Sequence, residues 1–272
     1  MAWWHVLILG LVQGLAEFLP ISSSGHLVIF RSVFGLDEIG LAFDTLLHLG
    51  TLAAVLFYFR KDIIPLIKAF FSLISRLFRK SQKGQSELSG HERLVGMVLI
   101  GTIPAGAAGF FLEPVLADLF ADPRFVGFAL WITAGIMWWA HSAGNKSGTT
   151  AAMNWQRALF IGIAQAIAIL PGISRAGMTI FAGILMGLSR VEAAKFSFLL
   201  SIPVILGAGI TQVPDLFTSA SGIQGIYLMG MVIAAVSGFA AIKGMLRYVN
   251  KNGYLGFAIY CAIVGTLVVI LF

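Results

Sequence analysis

The chain has 272 residues, of which 58% are hydrophobic and only 11% are charged, and its mean hydropathy is +0.93. This composition leaves too little polar surface for a soluble domain, so we expect an integral membrane protein. The net charge of +6 does not indicate a nucleic-acid partner, because the basic residues gather in short segments between apolar runs, as in the loops of membrane proteins.

Six apolar runs are long enough to cross about 30 Å of hydrocarbon, which takes roughly 20 helical residues. In chain order they are Leu41–Phe59, Leu94–Leu112, Phe125–His141, Val191–Val213, Ile223–Ala241 and Tyr254–Phe272. The predicted fold is an all-α polytopic membrane protein, with one membrane domain over residues 1–272. Another apolar stretch, Ile64–Phe78, contains Lys68 and Arg76, so we expect it to lie on the membrane surface.

Two polar motifs, at residues 13–26 and 165–179, interrupt the apolar chain. Each contains a Leu-Pro helix break followed by Ser and Gly. The arms after the breaks, Gly25–Phe34 and Ala176–Leu188, are too short to cross a membrane. We therefore predict two re-entrant helical hairpins, although the arms before the breaks are long enough to leave a full crossing open.

The same order of elements occurs twice, a broken hairpin followed by three spans. An internal duplication explains this order economically. Repeat one covers residues 1–141, including a cytoplasmic or interfacial segment at 60–93, and repeat two covers residues 154–272. Because each repeat has an odd number of spans, we expect the second to be inserted upside down, as in the inverted repeats of many transporters.

Charged residues predict the orientation. Eight Lys or Arg lie in residues 60–93. Further basic residues are Lys146 and Arg157, Arg190 and Lys195, and Lys243, Arg247 and Lys251. All these segments should face the cytoplasm. The remaining connections carry mostly acidic residues and should face outward: Asp37, Glu38, Glu113, Asp118, Asp122 and Asp215. Both termini would then lie outside, and the two hairpins would enter from opposite faces and meet at mid-membrane.

The tips of the two hairpins, residues 22–26 and 172–179, have the chemistry of an anion site. Ser22, Ser23 and Ser24, or Ser174 in the second motif, can cap the half-helix that follows, whose free N–H groups carry the positive end of the helix dipole. Gly25, Gly172 and Gly177 let the backbone approach a ligand, and the planar guanidinium of Arg175 suits phosphate oxygens. We therefore expect a phosphate or diphosphate ligand; the alternative is that these residues only cap and pack helices.

Gln13 and Glu17 are one helical turn apart and share a face. They can supply hard oxygen ligands to a divalent cation, Mg²⁺ or Ca²⁺, with diphosphate oxygens completing the shell; a structural pair is the alternative. His26 can act as the base for a seryl nucleophile, attack phosphorus itself or protonate a leaving group, or it can simply pack. Asp44 and His48 also share a face, but a buried hydrogen-bonded pair explains them more simply.

The motifs QGLAEFLPISSSGHL and LPGISRAGMTI resemble the two signatures of the undecaprenyl-diphosphate phosphatase family, the bacitracin-resistance type of membrane enzyme. The likeness covers essentially the whole chain. It implies removal of the terminal phosphate of undecaprenyl diphosphate, which recycles the lipid carrier of peptidoglycan and envelope polysaccharides at the bacterial inner membrane.

The resemblance also assigns site residues. The family's E/Q-x-x-x-E motif falls on Gln13 and Glu17, its Ser and His on Ser22, Ser23 and His26, and its P-G-x-S-R motif on residues 171–175, with Thr179 closing the second signature. One position departs from the family pattern, since Ala176 stands where a second serine is frequent. Gln13 takes the neutral option of its motif, which leaves Glu17 as the one carboxylate of the pair.

The predicted mechanism places the lipid tail among the spans and the diphosphate between the tips, opening outward. Ser23 attacks the terminal phosphorus, with Ser22 as its nearest rival, while Arg175 and the half-helix N–H groups hold the developing charge. Glu17 together with His26 would transfer protons, and Glu17 would also bind the cation. A transporter or lipid flippase is the alternative, since inverted repeats and broken helices suit it equally. A homodimer is left open.

Overall fold

The computed structural model describes residues 1–36, 41–78, 88–116, 122–218 and 225–272. Within these ranges the chain forms eleven α-helices and no β-strand. The helices are α1 Trp3–Phe18, α2 Ser23–Phe34, α3 Leu41–Tyr58, α4 Arg60–Phe78, α5 Gly90–Leu116, α6 Pro123–Ser142, α7 Trp155–Ile167, α8 Arg175–Leu185, α9 Arg190–Thr218, α10 Gly225–Asn252 and α11 Leu255–Leu271. The predicted all-α class is confirmed.

Each of the six predicted spans coincides with a helix. Among the described residues, four helices are long and apolar enough to cross a membrane: α5, α6, α9 and α10. The other two predicted spans, in α3 and α11, have 16 and 17 residues in their apolar parts, Phe43–Tyr58 and Leu255–Leu271. The chain is therefore a multi-pass membrane protein, and α4 forms at the predicted surface segment.

Several helices continue beyond the apolar runs that predicted them. Helix α10 reaches Asn252 rather than Ala241, so Lys243 and Arg247 lie on the helix and not in a connection. Likewise Glu113 lies on α5 and Asp215 on α9, so the prediction that both belong to connections was wrong. A polar residue does not end a helix that stays hydrogen-bonded past the apolar region. Other residues used for orientation lie outside the described ranges: Asp37, Glu38, Arg79, Lys80, Lys83 and Asp118.

Two broken hairpins form where the motifs predict them. Helix α1 ends at Phe18, and α2 begins at Ser23 after a turn that contains Pro20. Helix α7 ends at Ile167, and α8 begins at Arg175 after a turn that contains Pro171. Proline lacks an N–H donor and disfavours helical geometry in the residue before it, which explains both breaks.

The two halves of the chain interlock. Helix α1 packs on α10 of the second half, and α7 packs on α5 of the first. Small residues permit both contacts: a Cβ on Gly162 of α7 would lie 2.5 Å from the backbone oxygen of Gly101 on α5, and a Cβ on Gly14 of α1 would collide with the Ser237 hydroxyl of α10. Each hairpin is thus held by a long helix of the other half, which fixes the two tips relative to each other.

Candidate functional site

The carboxylate of Glu17 is the centre of the site. Glu17 lies in the last turn of α1 and is 7% exposed. Its Oε2 accepts hydrogen bonds from Gln13 Nε2 at 3.1 Å and from Ser23 Oγ at 2.6 Å. Its Oε1 accepts one from Arg175 Nη2 at 2.6 Å. A buried carboxylate is thereby paired with a guanidinium and a hydroxyl, as a charge away from water requires.

The hairpin tips meet, as predicted. Glu17 and Arg175 are 158 residues apart in the chain, yet they form an ion pair. The backbones also touch, since a Cβ on Gly25 would lie 3.0 Å from the Cα of Gly172. The N-termini of α2 and α8 therefore converge, and their partial positive charges face the same small volume.

Thr133 of α6 holds the second tip. Its hydroxyl donates to the Gly172 carbonyl at 3.0 Å and accepts from the Ser174 N–H at 3.1 Å. Gly172 has φ of 88°, and a Cβ there would lie 2.6 Å from the Cβ of Ala129. Only glycine satisfies both the conformation and the space. Thr133 was missed from the sequence, because a lone threonine inside an apolar run carries no signal.

Three hydroxyls predicted to bind substrate are engaged within the tips. Ser22 accepts from the Gly25 N–H at 3.3 Å and Ser174 from the Gly177 N–H at 3.0 Å, so both are helix caps. The Thr179 hydroxyl lies 2.6 Å from that of Ser197 on α9. Ser23 and Ser24 are only partly buried. The hydroxyls placed to meet a ligand are therefore those of Ser23 and Ser24.

Arg175 joins three elements. Its Nη2 contacts Glu17 of α1, and its Nη1 donates to the Ser197 carbonyl of α9 at 3.1 Å. The side chain is 17% exposed, so one edge remains open to a ligand. The planar fork of arginine makes two such bonds at once, which a lysine ammonium on a single flexible stem does not reproduce.

His26 lies behind the serines. Its Nδ1 is 2.7 Å from the Ser22 carbonyl oxygen, and its Nε2 is 2.8 Å from the Tyr260 hydroxyl of α11. Among the described contacts, neither ring nitrogen reaches a serine hydroxyl. The predicted role of His26 as base therefore stays a prediction, and the carboxylate of Glu17 is the group that receives the Ser23 hydrogen bond.

His48 also belongs to the site, although the sequence favoured a pair with Asp44. The His48 Nδ1 contacts the backbone oxygen of Asp44 at 2.8 Å, while its Nε2 lies 3.8 Å from Glu17 Oε2. The Asp44 carboxylate pairs with Arg31 of α2 instead. His48 is 34% exposed, so its imidazole borders the open side of the Glu17 cluster.

The residues predicted to bind a cation offer few oxygen ligands. In the ranges that the structure describes, no group of three or more His, Cys, Asp or Glu side chains could hold a metal ion. The buried Gln13 Oε1 has no hydrogen-bond partner, and it lies beside the Glu17 carboxylate. These two side chains suit a hard cation that takes most of its oxygen ligands from a diphosphate.

Comparison with known proteins covers nearly the whole chain. Residues 6–267 match the family model described as bacitracin resistance protein BacA. An undecaprenyl-diphosphatase of Methanosphaera stadtmanae is 40% identical over 267 residues, which is 97% of this chain and 96% of the relative. That of Methanobrevibacter smithii is 42% identical over 265 residues, 97% and 95% of the two chains. That of Desulfatibacillum aliphaticivorans is 40% identical over 276 residues, 99% of each.

Proposed function

Because the chain belongs to the bacitracin resistance protein BacA family, we propose that it hydrolyses undecaprenyl diphosphate to undecaprenyl phosphate and inorganic phosphate. The enzyme thereby recycles the lipid carrier of cell-wall synthesis and confers bacitracin resistance. The observation that carries this proposal is the Ser23–Glu17–Arg175 cluster, in which a hydroxyl, a carboxylate and a guanidinium meet at two helix N-termini. A nucleophile, its base and a phosphate-binding cation are thus within contact of one another.

The diphosphate binds with its terminal phosphate against Ser23 and Arg175. The guanidinium and the N–H groups of α2 and α8 neutralise its charge. Ser24 borders the same opening, and Gly25 and Gly172 let the tips pack closely around the phosphate. The hydroxyls of Ser22, Ser174 and Thr179 bond within the protein and do not donate to it. The prenyl tail lies among the membrane helices.

The first step forms a bond between Ser23 Oγ and the terminal phosphorus. The Oγ proton passes to Glu17 Oε2, 2.6 Å away, as general-base catalysis requires. The bond from this phosphorus to the bridging oxygen breaks, and the lipid monophosphate leaves with that oxygen. Glu17 passes the Ser23 proton to the departing monophosphate and is a carboxylate again. Water then attacks the phosphoserine phosphorus, and Glu17 takes one water proton. As the bond from Ser23 Oγ to phosphorus breaks, Glu17 returns that proton to Oγ, and inorganic phosphate departs with the water oxygen. Throughout, Arg175 stabilises the charge on the equatorial oxygens.

Phosphate release separates this enzyme from a transporter with the same fold. Purified protein in detergent should liberate phosphate from a polyprenyl diphosphate, whereas a transporter or flippase needs two compartments and liberates nothing. Ser23→Ala should abolish release while leaving lipid binding largely intact, because it removes a covalent step and not a charge. If Ser23→Ala keeps near full activity and Ser22→Ala is inactive, the nucleophile is Ser22.

We further propose a divalent cation, Mg²⁺ or Ca²⁺, held by Gln13 and Glu17 together with the diphosphate. A bound cation would offset the negative charge of the diphosphate oxygens. Excess chelator should then lower phosphate release, and added Mg²⁺ or Ca²⁺ should restore it. Gln13→Leu should need a higher cation concentration for half-maximal activity than wild type. Full activity in chelator would remove the cation from the mechanism.

The site is proposed to open on the outer face, with both termini outside. This orientation follows from the basic residues of 60–93 on one side and Asp122 on the other, by the positive-inside rule. A membrane-impermeant thiol reagent applied to intact cells should label Asp122→Cys but not Arg93→Cys. The opposite labelling pattern would invert the orientation without affecting the chemistry.

A further inference from the structure

Ser22 has an unusual backbone conformation directly before the proposed nucleophile. Among the described residues it is the one non-glycine residue with positive φ, at φ 71° and ψ 97°. Such conformations are unfavourable for residues with a Cβ and persist only where the surrounding structure enforces them. Because the Ser22–Ser23 peptide sets the position of Ser23, whatever enforces this conformation also aims the Ser23 hydroxyl.

The imidazole of His26 adds to that enforcement, beside the helix bond from the His26 N–H to the Ser22 carbonyl at 3.2 Å and the Ser22 cap on the Gly25 N–H. A carbonyl oxygen only accepts, so the 2.7 Å contact between His26 Nδ1 and Ser22 O requires the proton on Nδ1. In the neutral ring, Nε2 is then an acceptor, and the Tyr260 hydroxyl donates to it at 2.8 Å. The two rings also stack, with centroids 5.6 Å apart and 12° between their planes.

The same contacts leave His26 no free lone pair for Ser23. A general base must lie within hydrogen-bond reach of the proton that it takes, and the Ser23 proton points at Glu17. His26 is 5% exposed, while Ser23 is only partly buried. The imidazole therefore acts from behind the tip, through the Ser22 carbonyl.

We propose that Tyr260 and His26 are positioning residues, which hold the Ser22–Ser23 peptide through a hydrogen-bond chain and thereby aim Ser23 at Glu17 and the phosphate. Tyr260 belongs to α11, so the last helix of the chain orders the first hairpin tip. The inference rests on the proposed function, since it assigns a role in the same reaction.

Tyr260→Phe tests the hydrogen-bond chain from Tyr260 through His26 to the Ser22 carbonyl, with little change in shape. It removes the donor to His26 but keeps the stacked ring, so kcat should fall about three- to tenfold, the worth of one neutral hydrogen bond, with KM unchanged. Tyr254→Phe is the matched control. Its hydroxyl donates to the Arg190 carbonyl at 2.9 Å and its side chain is fully buried, so this variant should lower the melting temperature and keep kcat.

His26 variants separate positioning from acid–base chemistry. His26→Asn keeps a side-chain N–H donor near the place of Nδ1, so it should recover most of the kcat that His26→Ala loses, about a hundredfold for a misplaced nucleophile. The pH dependence of kcat in His26→Asn should match wild type, and adding Tyr260→Phe to it should cost nothing more.

Three results would overturn the inference: wild-type kcat in Tyr260→Phe, an inactive but folded His26→Asn, or loss of a limb of the pH profile in His26→Asn. The last two would make His26 an acid–base group. Ser23→Ala assayed alongside keeps the two proposals distinct. If Ser23→Ala remains active, the proposed nucleophile fails, whatever Tyr260 does.

Discussion

Replacing Glu17 with glutamine tests the centre of the site most sharply. The change conserves shape but leaves one carbonyl oxygen and an NH₂ group in place of two carboxylate oxygens. The oxygen must face Arg175 Nη2, which contacts Oε1 at 2.6 Å. The NH₂ group then faces Ser23, whose hydroxyl must turn and accept a hydrogen bond that it now donates.

In that arrangement the Ser23 proton has no base. A positioned general base contributes about 10²- to 10⁴-fold, equivalent to roughly 3 to 5 kcal/mol of transition-state stabilisation. We therefore expect kcat for phosphate release from a polyprenyl diphosphate in detergent to fall by about that factor. At a saturating concentration of divalent cation KM should change little, because Arg175 and the helix N-termini remain to bind the phosphate.

Glu92→Gln is the matched control for losing a buried carboxylate. Glu92 is 4% exposed, accepts from the Ser72 hydroxyl at 2.7 Å and pairs with Arg76 at 3.0 Å. It lies where α5 packs on α4, so its replacement should lower the melting temperature and leave kcat unchanged. If Glu17→Gln turns over within about threefold of wild type, well below the expected contribution of a base, Glu17 does not deprotonate Ser23.

Two further predictions follow from the contacts of the second tip. Arg175→Lys keeps the charge but loses the fork that joins Glu17 to α9. The fall in kcat/KM should correspond to a loss of about 2 to 3 kcal/mol of transition-state stabilisation. Combining Arg175→Lys with Ser23→Ala should lower kcat/KM little further, and additive losses would mean that the two residues act separately. Gly172→Ala should lower the melting temperature, since overpacking costs about 1 to 3 kcal/mol. Gly106→Ala is the control and should not lower it, because its Cβ would meet nothing within 4 Å. Equal melting temperatures of the two variants would refute the close packing at the tip.

The fold was largely predictable because backbone groups inside a membrane must form their hydrogen bonds within the protein, which few structures allow. Long apolar runs must form helices, and a Leu-Pro pair must break one. The helix ends were not predictable from hydropathy, since α10 continues for a further eleven residues beyond the apolar run that ended at Ala241. Its polar last turns stay helical through backbone hydrogen bonds, which a window of hydrophobicity does not register.

Most residues of the site were predicted from the sequence, but only some of the contacts between them were. The convergence of Ser23 and Arg175 was expected from the predicted inverted repeat, in which the two hairpin tips meet. The direct pairing of Arg175 with Glu17 does not, because the sequence assigned the guanidinium to phosphate and the carboxylate to a cation. Thr133 and Tyr260 gave no signal at all, since a single polar group on an otherwise apolar helix is indistinguishable from a packing residue until its partner is known.

The ion pair between the two tips has a consequence for how the protein is made. Glu17 leaves the ribosome 158 residues before Arg175, so the first hairpin enters the membrane while its counter-charge has not yet been synthesised. An unpaired carboxylate inside the membrane is costly. This cost favours a nascent chain whose first hairpin stays near water or the insertion machinery until α8 has been synthesised. Closing the tips would therefore be a late event in biogenesis, and chains truncated before Arg175 should be recognised and degraded as unfinished.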